Sequence, residues 1–100
     1  MRTNERYRWR QLTSFGSDVD LTTQTGCPRR PADRLEVHND QTTTQDIVVR
    51  GPDAVNVTFE VPADSIRVIR GPISAIESTG TETIASAQAG WLVEGDERGN

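Results

Sequence analysis

The single histidine of this 100-residue chain, His38, stands two residues before Asp40 and close to a run of threonines. A histidine–carboxylate pair beside a hydroxyl is the raw material of nucleophilic catalysis. There the imidazole takes the hydroxyl proton and the carboxylate orients the ring. That chemistry also needs an organising turn such as G-x-S-x-G, which the sequence lacks. His38 is therefore expected to be an exposed histidine at a strand end. Cys27, the only cysteine, precedes Pro28, Arg29 and Arg30. Neighbouring guanidinium groups would favour its thiolate, but a lone cysteine in a proline-rich stretch is more simply incidental. One Cys and one His fall short of a zinc ligand set. The oxygens of "DVD" and "HND" come without an EF-hand loop. Neither G-x-x-x-x-G-K nor G-x-G-x-x-G occurs. No catalytic residue, metal or cofactor is expected, and the chain reads as a non-enzyme.

The remaining chemistry is recognition. "RTNERYRWR" interleaves arginine with Tyr7 and Trp9, and Arg6, Arg8 and Arg10 flank the two rings. Arginines among stacking aromatics serve single-stranded nucleic-acid binders. Tyr, Trp and Arg are also the residues that most often anchor protein interfaces. The charge balance separates these uses. The chain carries net charge −4, with its acidic residues spread through the body, and an acidic body repels a phosphate backbone. Protein docking by Arg6, Tyr7, Arg8, Trp9 and Arg10, aided by Arg29 and Arg30 of the "GCPRRP" loop, is the favoured expectation. A small nucleic-acid-binding β-barrel using the basic arm is the alternative.

Such residues need a frame. One hundred residues make one small domain. With only 33% hydrophobic residues its core is lean, so assembly with other chains is expected to add stability. All 11 cations are arginine, which a GC-rich genome explains as simply as function does. No apolar run approaches a membrane span. The basic N-terminus lacks the apolar segment of a secretory signal. A single cysteine excludes an intramolecular disulfide.

Period-two alternation dominates the chain. Val55, Val57, Phe59 and Val61 alternate with Asn56, Thr58 and Glu60, predicting a strand whose four apolar residues share a buried face. "DVDLT", "RLEVH", "DIVVR" and "SIRVIR" read as strands too. "ISAIES" and "TETIASA" fit a hairpin, with "GWLVE" a last strand and "TETIASAQA" the best helical candidate. "GPDA", "PAD" and "STGT" supply turns, with Gly80 suited to a positive φ. "TTQTGCPRRPADR" and "HNDQTTTQD" read as exposed loops. The expectation is an all-β fold: a small, jelly-roll-like antiparallel β-sandwich of seven or eight short strands. It has a basic N-terminal arm over 1–11, the sandwich over 12–93 and a flexible acidic tail over 94–100. V-x-R-G-P occurs twice, at 48–52 and 68–72. Proline cannot continue a central ladder, so each copy is expected to end a strand. The lesser reading puts Arg50 and Arg70 at one shared contact site.

From "VHNDQTTTQDIVVRG" through "VNVTFEVPADSIRVIRGPISAIESTGTETIASAQAGWLV", the chain resembles small structural proteins of tailed-phage virions. The pattern comprises a strand ending near Asn39, a threonine-rich turn, the run Val55 to Ala63, Ile66 to Val68, Ser78 to Thr81, and the closing Trp91 and Leu92. It covers about the last two-thirds of the chain and leaves out the arginine arm. The resemblance implies a virion component assembled in the bacterial host cytoplasm. Its role would be capsid decoration and stabilisation, a head–tail accessory, or attachment of a tail, spike or fibre component. It would contact major capsid, portal, tail or spike proteins as a homo-oligomer, with a trimer the first expectation.

Overall fold

The computed structural model describes residues 6–81 and 83–93. Within them the chain forms eight strands and no helix: β1 (Arg6–Leu12), β2 (Val19–Asp20), β3 (Ala32–Asn39), β4 (Gln45–Arg50), β5 (Asn56–Val61), β6 (Ser65–Ile73), β7 (Ala75–Glu77) and β8 (Ser86–Val93). They build two four-stranded antiparallel sheets, ordered β1-β8-β3-β6 and β2-β7-β4-β5. The pairing has a simple logic. β4 pairs with β5, β3 with β6, β2 with β7 and β1 with β8. The chain is thus one long hairpin, folded back at Gly51–Ala54 and then rolled up. Rolling adds the contacts β3–β8 and β4–β7. This is the jelly-roll order.

The hairpin tip follows from its residues. Ala54 N–H donates to Gly51 O at 2.9 Å, and Ala54 then takes φ 66°. That is a tight turn followed by one left-handed residue, a common three-residue hairpin solution. Asp53 Oδ1 accepts Val55 N–H at 3.2 Å and steadies it. The core lies between the sheets. Leu35 and Val37 of β3, Ile69 of β6 and Ala87, Ala89 and Trp91 of β8 pack with Ile47 and Val49 of β4, Val61 of β5 and Ile76 of β7; Phe15, Leu21 and Ile84 pack in from the loops. Trp91 is fully buried, and its Nε1–H donates to Arg30 O at 2.7 Å, which satisfies the one polar atom of the ring.

The structure corrects several expectations. The sandwich begins at Arg6 rather than Leu12, because residues 6–12 form β1 against β8 instead of an arm. The first five residues of the expected arm and the expected tail, 94–100, lie outside the described residues. "TETIASAQA" is not helical: its second half opens β8, where Ala87 and Ala89 face the core. β7 and β8 are not a hairpin, since β7 sits between β2 and β4 while β8 sits between β1 and β3. The two V-x-R-G-P copies also differ. The first ends β4 at the hairpin tip. The second lies inside β6, where two residues, Gly71 and Pro72, bulge opposite Asp33. A Cβ on Gly71 would meet Ala32 O at 2.2 Å, so only glycine lets the strands approach there. Just beyond, the chain leaves one sheet for the other, and Ser74 donates to Arg50 O at 2.8 Å. Gly80 has the expected positive φ, 89°.

Candidate functional site

β1 is the outer strand of its sheet, and its alternation sets the site. Tyr7, Trp9 and Gln11 project to the outer face of the sheet, opposite Leu92, Gly90 and Gln88. Arg8, Arg10 and Leu12 project the other way, and only Leu12 reaches the core. Trp9 lies over Gly90: a Cβ there would meet its ring at 2.7 Å. The Tyr7 and Trp9 ring centroids are 5.2 Å apart, and the Arg34 guanidinium stands 5.8 Å from the Tyr7 centroid. Arg34 Nε also lies 3.2 Å from Glu36 Oε2. Trp9 remains 39% exposed, and Leu92, Val68 and Ile66 are exposed apolar residues of the same sheet.

The arginines on the other side of β1 reach the β2–β3 loop. Arg8 Nη1 donates to Gly26 O at 3.2 Å, and Arg10 Nε to Gln24 Oε1 at 3.2 Å. Gln24 in turn donates to Asp20 O at 2.8 Å. Asp20 Oδ1 accepts both the hydroxyl and the N–H of Thr22, and these hydrogen bonds hold its carboxyl below the ordinary value, with Arg50 adding to the effect. The sequence-based set is therefore divided by β1: Tyr7 and Trp9 lie on the outer side, Arg6, Arg8 and Arg10 on the other, and Arg29 and Arg30 are exposed in the β2–β3 loop. Arg30 has a role within the fold. It pairs with Asp33 at 2.8 Å and donates to Leu92 O, while Asp33 Oδ2 accepts Leu92 N–H at 2.7 Å. It pins the loop to β8.

His38 is exposed on β3, flanked by Ile66 and Ser86, and Asp40 accepts instead from Gln41 Nε2 at 3.2 Å. Cys27 is a free, partly buried thiol packed on the core. Among the described residues no group of three or more His, Cys, Asp or Glu is placed to hold a metal ion.

Sequence reasoning missed a second surface. Val55, Val57, Phe59 and Val61 do share one side of β5, but only Val61 is fully buried. The face is correct and its cover is missing, because β5 is an outer strand. A groove of about 450 Å³ runs along it, lined by Val49, Val55, Val57, Phe59, Ile69 and Ile73. Asp53 and Arg70 line it too, as do Gly51, Pro52 and Pro72. The two V-x-R-G-P copies thus meet there, although Arg50 is engaged by Glu77. The signal that finds the groove is the number of apolar residues on a strand that ends beside the hairpin tip. Comparison of the chain with family models, curated proteins and solved structures returns no match.

Proposed function

We propose that the chain is a non-enzymatic structural component of a tailed-phage particle, present in several copies, that binds other particle proteins through its β1 edge. One observation carries the reading. β1 is an outer strand with half-exposed aromatics on one side and arginines on the other, next in the sheet to β8, to which the loop bearing Arg29 is pinned. An open strand edge offers a row of backbone donors and acceptors to an incoming chain. Tyr7 and Trp9 give it apolar contact area, and the arginines select an acidic partner. A β-sandwich is stiff enough to hold such a surface under the symmetry of a particle. The virion resemblance of the last two-thirds of the chain supplies the class of partner: capsid, portal, tail or spike proteins.

The test is occupancy. Trp9→Ala combined with Arg8→Glu removes the anchor and reverses a charge at the edge while sparing the core. Its occupancy in purified particles should fall at least several-fold; unchanged occupancy would count against the reading. The same aromatic and arginine edge also favours a second reading, stacking on single-stranded nucleic acid. Retention on single-stranded DNA that weakens steeply with salt would select that reading instead.

A further inference from the structure

β5 is an outer strand of one sheet and β6 of the other, and the groove opens between them. One end is shut. Arg67 Nη1 donates to Glu60 O at 2.8 Å, and its guanidinium stands 5.1 Å from the Phe59 ring centroid. The other end is open, with Val55 54% and Val57 46% exposed. We propose that a second copy of this chain covers the open end by laying its own β5 against β5 across a twofold axis.

The backbone supports this. Among the described residues β5 pairs only with β4. Val55 O faces β4, where it accepts Gly51 N–H at 3.4 Å, whereas Glu60 O is reached from the opposite side by Arg67. Antiparallel strands alternate in this way, so the backbone groups of Asn56, Thr58 and Glu60 point to the open edge. Arg67 takes Glu60, which leaves Asn56 and Thr58 beside the exposed valines. A bare edge of this kind invites pairing. A twofold contact must be self-complementary, and antiparallel pairing centred on Asn56 makes it so. Val55 of each copy then lies opposite Val57 of the other. Asp53 sits in the hairpin tip just before Val55, so this pairing carries each tip toward the Phe59 end of the other copy, where Arg67 sits, and acid approaches base at both ends. The inference deepens the multi-copy reading above and rests on it, with a twofold pair in place of the trimer that the resemblance implies.

The experiment is sedimentation of the isolated chain over a concentration series, with amide exchange as a second readout. A reversible dimer is expected, in which the Asn56 and Thr58 amides become protected as concentration rises. Asn56→Pro removes an outward N–H and leaves the β4 ladder intact; it should weaken the dimer about tenfold or more. Val57→Asp, which sets charge in the apolar contact, should do the same by another route. A chain that stays monomeric at every concentration overturns the proposal. So does a dimer indifferent to both substitutions. Protection of these amides only on mixing with another particle protein also overturns it, assigning the groove to a foreign strand. None of these outcomes depends on the Trp9 and Arg8 variant, so failure here is distinct from failure of the functional reading.

Discussion

Asn39 is the polar residue on which the β3–β4 corner depends. It is fully buried, and its Nδ2 serves three carbonyls: Thr43 O at 2.9 Å, Val61 O at 3.0 Å and Pro62 O at 3.1 Å. Its Oδ1 accepts Gln41 N–H at 2.9 Å. One side chain therefore ties the end of β3, the threonine-rich loop and the end of β5. Leaving buried polar groups without partners costs about 1–3 kcal/mol each. Asn39→Ala is expected to destabilise the fold by about 3 kcal/mol, read as a lower denaturant midpoint with an unchanged slope. Thr81 has a related role: its buried hydroxyl accepts Val48 N–H at 2.9 Å. Both residues sit in stretches that the sequence marks as turns. Their burial was not legible there, because a hydrophilic side chain in a loop looks solvated until the loop is seen to close over the core.

At the scale of elements, alternation revealed which residues share a face and little about which strand lies beside which. Leu35 with Val37, and Ile47 with Val49, are buried as their period-two spacing requires. The roll was hidden. It separates β7 from β8 and brings β1 to β8, pairings made by residues about eighty positions apart that no local pattern encodes. β1 did carry a signal, since "RYRWRQL" alternates cation and ring. Its polarity argued for an arm, yet an outer strand needs only one apolar anchor inward, which here is Leu12. The consequence is testable. β1 covers one whole side of β8 over the register Arg6–Val93 to Leu12–Ala87. Deleting residues 1–12 would expose that ladder and uncover Gly90. The truncated chain should unfold at markedly lower denaturant or collect as aggregates through the bared β8 edge. A truncated chain of native stability would show that β1 is dispensable to the fold.

A rolled hairpin must also be held where distant loops meet, and two carboxyls there couple the fold to pH. Asp18, in the β1–β2 loop, accepts Ser78 N–H at 2.8 Å across sixty residues of sequence. The backbone and hydroxyl of Ser78 hold its carboxyl below the ordinary 3.8, and Arg50 adds a smaller pull in the same direction. Asp20 is lowered too, chiefly by Thr22. A carboxyl whose value is lower folded than unfolded binds fewer protons in the native state, so stability rises with pH across that interval. Its contribution is complete above the unfolded value, near 3.8, and is lost as pH falls through the lower folded value. Protonation also strips negative charge from a chain with 11 arginines, and the resulting self-repulsion acts in the same direction. Asp18→Asn isolates the local part. The amide oxygen can still accept Ser78 N–H, but it carries no charge and does not titrate. The variant should be less stable than the parent at neutral pH, and the gap in denaturant midpoint should close as pH drops below about 4. A gap that stays constant from neutral to acid would mean that Asp18 holds the loops through shape alone.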